Sequence, residues 1–320
     1  YTRSIVGSVK MCIRDSDINA DILRQRRAAH PQGWRDVLPE TVGVSTWVGY
    51  DLDGRSDISW QDSFRLRLRE KRDALTVYYQ TIMDSGLVAS SDAMADIAAR
   101  LTEELTRTMA HIQSFDIGDA KADAKANSGD VIAAMNALTC APGRLISSRA
   151  LATEIHDIAR SLPDDNMALA ALVIASDIAT HGFGMGEVHL RINAAQIRNA
   201  MRPVDGRAIS VSANSASEGV RSPRLLIDRL ANRIRTEEAW AINFANLDSE
   251  TATARRQLML ATQILKHIDS DQPIRLLIAE CERPLTIMSA LYLAHKFGIA
   301  DMIDISPLFE TSYGLEHGEK

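Results

Sequence analysis

The sequence predicts a helix-rich α/β protein, on three observations. Helical periodicity dominates from Trp60 to about residue 181. It gives way to period-two alternation in EVHLRINAA, where Val188, Leu190 and Ile192 are apolar and His189, Arg191 and Asn193 polar. The stretch PIRLLIAECERPLTIMSALYLAHKFGIADMIDIS then reads as strand, helix, strand, a parallel βαβ unit. Few strands among many helices suit a barrel carrying helical insertions.

Each element has its own signals. The first helix spans about Trp60 to Met83, capped by Asp62 or Ser63 and ended by Gly86. Ser90 and Ser91 can cap a second, carried by Met94, Ile97, Leu101, Leu105, Met109 and Ile112. The polar DIGDAKADAKANSGD reads as a loop or a weak helix. DVIAAMNALTCAPG, SSRALATEIHDIARSL and DDNMALAALVIASDIATHG are three more helices, the last closed by Gly182. DGRAISVSANSASEGVRSP is a long polar connection, of a length that functional or mobile loops have. A helix is expected from about Ser249 to His267. In the βαβ unit, Pro284 suits a helix's first turn and Gly298 its stop. Pro307 ends the last strand, and Glu310 follows, where many α/β folds keep their chemistry.

Composition narrows the function classes. The 320 residues carry 36 Lys plus Arg against 42 Asp plus Glu, a net charge of −6 that argues against a nucleic-acid partner. Arg65, Arg67, Arg69, Lys71 and Arg72 are expected on a solvated helix face. No apolar run approaches the ~20 residues that span a bilayer, so no membrane partner is expected. Cys12, Cys140 and Cys281 form no CxxC pair, which points to a reducing, cytoplasmic setting. Residues 1–16 are expected to be non-native. MCIRDS, from Met11 to Ser16, is what ATGTGTATAAGAGACAG encodes in frame, and that string resembles a sequencing-library adapter.

Three stretches go beyond pattern. TWVGYDLDG resembles the W-x-G-G-D-x-D-G-N-P signature of phosphoenolpyruvate carboxylase. HLRINAAQIRNAMR resembles the H-x-R-L-N-A-x-Q-L-H-N-A-I-R stretch of divergent bacterial members, and ALYLAHKFGIADMIDISPLFETSYGLE the segment ending in P-L-F-E-T. The three occur in the family's order. The resemblance implies a TIM-type (β/α)8 barrel, normally a cytosolic homotetramer. It implies carboxylation of phosphoenolpyruvate by bicarbonate to oxaloacetate and phosphate, an anaplerotic carbon-fixing step, with Mg²⁺ or Mn²⁺.

Carried across, Glu310 is the metal ligand; its bland alternative is a carboxylate satisfied by the amides of a helix start. The family's phosphate-gripping arginine, in L-D-I-R-Q-E, falls on Arg191 or Asn193 of L-R-I-N-A-A. A phosphate dianion favours the bidentate guanidinium of Arg191. His189 on the same face reads as a satisfied core histidine. Trp47, Gly49, Asp51, Asp53 and Gly54 match the family's turn, with departures at Tyr50, Leu52, Arg55 and Ser56. That turn reads as architectural, with Asx hydrogen bonds; Ser56 stands where an EF-hand would need Gly.

The family's T-A-H-P-T and Y-S-D-S-x-K strings, with the catalytic His and Lys, do not occur in this chain. Residues 17–320 are therefore expected to be an internal part of one barrel domain, cut at both ends and inactive alone. Two alternatives stand beside this reading: another Mg²⁺-dependent barrel lyase acting on pyruvate enolates, or a non-catalytic helical scaffold.

Overall fold

The computed structural model describes residues 2–53, 55, 57–116, 127–202 and 222–318, with backbone alone for 2–15, 116 and 127–132. Its elements in chain order are α1 (Thr2–Ala29), β1 (Ser45–Thr46), α2 (Trp60–Asp84), α3 (Leu87–Ser90), α4 (Asp92–Asp116), α5 (Asn127–Cys140), α6 (Ser148–Ser161) and α7 (Asp165–His181). There follow β2 (Glu187–Asn193), α8 (Ala194–Ala200), α9 (Pro223–Thr236), α10 (Phe244–Ser249), α11 (Thr253–His267), β3 (Ile274–Ala279), α12 (Pro284–Lys296), β4 (Ile303–Pro307) and α13 (Ser312–His317). The fold is thus helix-rich α/β with one small parallel sheet, ordered β1-β2-β3-β4.

Two compact units share the chain. The first comprises Tyr1–Ser45, Phe64–Glu187 and Ile264–Gln272; the second comprises Thr46–Ser63, Val188–Gln263 and Pro273–Lys320. In the first, Leu75, Ile82, Ile97, Leu101, Ile155, Leu172 and Ile178 close one apolar core. Its helix ends follow capping chemistry. Ser147 accepts from the Ala150 amide and Asp164 from those of Asn166 and Met167, while Gly182 ends α7 at φ 60°.

The expected solvated face on α2 is corrected. Arg65, Arg67 and Lys71 are buried, Arg72 is half-buried, and Arg69 alone is exposed. Arg67 donates to Glu70 and to the carbonyls of Gly184 and Gly186, at 3.0 to 3.1 Å. Lys71 pairs with Glu104 at 2.7 Å and donates to the carbonyls of Leu145 and Ile268. Burial is possible because each charge finds fixed acceptors. The expectation on apolar runs is corrected too. Asp165–Gly184 is long and apolar enough by length and composition to cross a membrane, yet it is mostly buried within the protein, as a core helix is.

In the second unit, β2 alternates as expected: Val188, Leu190 and Ile192 are buried, while His189, Arg191 and Asn193 are half-exposed. His189 is thus half-buried on the polar face rather than a core residue. β3 pairs in parallel with both β2 and β4, with Arg191 opposite Leu277 and Asn193 opposite Ala279. Pro284 opens α12, and Gly298 follows it at φ 71°. The helix expected from Ser249 starts later, at Thr253, because Asn243 caps a separate helix, α10, that ends at Ser249. The polar DIGDAKADAKANSGD lies partly, and the long connection before α9 almost wholly, outside the described residues.

Candidate functional site

The site is built on the polar face of β2, and three local structures converge there. The first is the turn after β1. The Tyr50 amide donates to the Trp47 carbonyl at 3.0 Å, with Gly49 between them at φ 85°. That is the left-handed position of a tight turn, and a side chain would strain it. The Asp53 amide then donates to Asp51 Oδ1 at 3.1 Å, an Asx hydrogen bond. Tyr50 and Leu52 bond the backbone of Arg191 on either side, so Asp51 bridges to Arg191 in parallel. This seats Asp53 beside the end of β2. Trp47 is exposed. Gly54 lies outside the described residues.

The second is the end of β2 itself. Asn193 is the N-cap of α8, in a reciprocal capping box with Gln196. Gln196 Nε2 also donates to the Leu52 carbonyl at 3.1 Å. The Asn193 Nδ2 donates to Asp53 Oδ1 at 3.2 Å, so both ends of this amide are used. Asn193 therefore organises the turn. N-A-A-Q was the readable signal for that capping role.

The third is the loop beyond β4. The Glu310 Oε1 accepts the Glu280 amide at 3.1 Å. Glu280 adopts φ 53°, a left-handed value that a non-glycine residue holds at some cost, and it follows β3 directly. Thr311, not Glu310, caps α13. The bland reading of Glu310 as a carboxylate satisfied by its own helix is thereby replaced by a tie to the neighbouring strand's loop.

These pieces bring Arg191, Asp53 and Glu310 together. Arg191 Nη2 lies 3.4 Å from Asp53 Oδ2 and 3.6 Å from Glu310 Oε2. Both exceed the 2.7–2.9 Å of a good charge-assisted hydrogen bond. The Arg191 Nε is buried with no hydrogen-bond partner among the described residues. The guanidinium is therefore ion-paired but under-bonded. Asp53, expected to be architectural only, is a charged neighbour of Arg191. No sequence signal pairs those two positions.

A divalent cation can be tested against these donors. Among the described residues, no group of three or more His, Cys, Asp or Glu converges to hold a metal. Magnesium, however, is usually held by one or two carboxylates completed by water and ligand oxygens. Glu310 is 42% exposed; its Oε1 accepts an amide and its Oε2 faces the Arg191 guanidinium at 3.6 Å, so it offers a cation one hard carboxylate oxygen that already neighbours a positive charge. The donor chemistry fits a partial site of that kind. Comparison of the chain with protein-family models and with curated proteins finds no match.

Proposed function

We propose that the chain carries the phosphate-gripping and cation-holding part of a phosphoenolpyruvate carboxylase-like site, acting on phosphoenolpyruvate and bicarbonate to give oxaloacetate and phosphate. The observation that carries this reading is the 3.6 Å approach of Arg191 to Glu310, residues from separate motifs. The one-third exposure of the Arg191 side chain supports it further, since an accessible planar guanidinium suits a phosphoryl group. Strand order running with the chain, without reversal, favours a partial (β/α)8 barrel over a doubly wound sheet. A cytoplasmic homotetramer is part of the same proposal and rests on the family resemblance.

Arg191 would bind the phosphoryl group and hold it in line as it leaves for bicarbonate. Asn193 and Gln196 keep the Asp53 turn in register with β2, which orients the guanidinium. Glu310, steadied by the Glu280 amide, would hold Mg²⁺ or Mn²⁺. The cation would supply positive charge against the enolate that develops on departure of the phosphoryl group. Since neither T-A-H-P-T nor Y-S-D-S-x-K occurs in the chain, the complete reaction is not assigned to it alone.

Calorimetric titration of this chain with phosphoenolpyruvate tests the proposal. Binding is expected to strengthen with Mg²⁺, to vanish in Arg191→Met and to lose its Mg²⁺ response in Glu310→Gln. Binding indifferent to both substitutions overturns it. In a longer gene product containing both missing motifs, bicarbonate-dependent oxaloacetate formation that Glu310→Gln abolishes distinguishes this reading from a non-catalytic scaffold.

A further inference from the structure

We propose that Asp53 is an internal competitor for the anion site on Arg191, and that its carboxylate sets how tightly a phosphate-bearing ligand binds there. The proposal rests on the reading of Arg191 as a phosphate grip and adds a residue that opposes it.

Asp53 cannot move freely toward Arg191. Its Oδ1 is held by Asn193 Nδ2 at 3.2 Å, and its amide is tied to Asp51 at 3.1 Å. Asn193 is itself fixed at the end of β2 by its capping box. Oδ2 is thus fixed 3.4 Å from Arg191 Nη2, near enough for attraction and too far for a good hydrogen bond. The arrangement gives the one-third-exposed Arg191 guanidinium a standing negative neighbour beyond good hydrogen-bond distance. A carboxylate placed to stabilise the fold would close that gap. One held back by its own anchors leaves the guanidinium available to a stronger acceptor.

An incoming phosphate must outbid this fixed carboxylate and also tolerate its repulsion. A dianion can do so through two parallel bonds to the fork, while a singly charged ligand gains less. Removing the Asp53 charge should therefore tighten phosphate binding. A purely structural turn residue predicts the reverse, because loosening the turn would misplace Arg191.

The test is titration of the 320-residue chain with inorganic phosphate in chelator-treated buffer, followed by calorimetry or by shifts of the arginine side-chain NMR signals. Asp53→Asn keeps the side chain's shape and an oxygen for Asn193. It is expected to bind phosphate about twofold to fivefold more tightly, the worth of a partly exposed ion pair. Asp53→Ala should show a similar gain, and the charge-keeping Asp53→Glu should stay near the parent. Thermal unfolding checks that each variant folds. Equal or weaker binding by folded Asp53→Asn and Asp53→Ala overturns the proposal, as does the absence of phosphate binding in every form. If Arg191→Met binds phosphate as the parent does, the anion grip itself is wrong. If binding needs Arg191 but ignores Asp53, the competitor role alone falls.

Discussion

The chain holds buried or half-buried cations in two settings, and they differ in how fully the fold satisfies each charge. In the first unit, Lys71 is enclosed by Glu104 and two carbonyls, and Arg67 by Glu70 and two glycine carbonyls. Glu104 in turn accepts from Arg107 and from the Leu145 amide. These charges are committed to the fold. In the second unit, Arg191 is one-third exposed, paired at long range with two carboxylates and hydrogen-bonded through its side chain to neither. A cation that the fold fully satisfies is a structural part; one that it leaves under-bonded at a strand end has capacity for a ligand.

The sharpest way to break this contrast is to remove one partner of the committed pair. Glu104→Gln should cost about 3–5 kcal/mol in urea unfolding, because Lys71 is left as an uncompensated buried charge. Replacing both, Lys71→Met with Glu104→Leu, should recover only part of that loss, because the Leu145 amide and the Leu145 and Ile268 carbonyls lose their side-chain partners. A loss below about 1 kcal/mol for Glu104→Gln would mean that the pair is not committed to the fold.

Crowding the other buried cation comes next. A Cβ on Gly184 would lie 1.8 Å from Arg67 Cζ. Gly184→Ala should therefore displace the guanidinium from its carbonyls and cost roughly 3 kcal/mol, read as a fall in the denaturation midpoint.

The first unit should also respond to pH. Burial first, then the Arg144 guanidinium 2.8 Å from its Nδ1, push the His267 pKa down to about 4. The neutral ring is the folded form, so the unfolded chain takes up the proton more readily. Stability from this group is complete above about pH 6.5 and falls as pH drops toward 4, by on the order of 3 kcal/mol in all. His267→Gln should flatten that slope. An unchanged slope would show that other groups control acid unfolding.

The smallest stability effect belongs to the candidate site. Arg191→Met should change unfolding free energy by about 0.5 kcal/mol or less, while abolishing phosphate binding. A cost near that of Glu104→Gln would place Arg191 with the structural cations and erase the distinction.

Much of the scaffold was readable in advance. Period-two alternation marked β2 because one face must be apolar and the other need not be. Pro284 and Gly298 bracketed α12 because each restricts or permits a particular backbone geometry. Asp51 and Asp53 announced a turn because an aspartate can bond the amide two residues on. The burial of Lys71 and Arg67 was not readable. A charged residue at helical spacing looks the same whether water or a remote carboxylate receives it, and Glu104, Gly184 and Gly186 are distant in sequence. Nor did motif alignment separate Arg191 from Asn193; the Asn193 side chain is spent on the turn and the α8 cap, while the Arg191 guanidinium stays one-third exposed beside two carboxylates.

Local chemistry along the chain was enough to determine the helix-rich α/β class, the polar face of β2 and the glycine stops of α7 and α12, because those depend on neighbours within a few residues; the cap of α2 was misplaced, since the Asp62 amide donates to Ser59 and neither Asp62 nor Ser63 is its cap. Tertiary structure alone decided that Asp53, Arg191 and Glu310 meet, and at what distance. Electrostatic pairing depends on separation in space, which short-range sequence pattern does not encode.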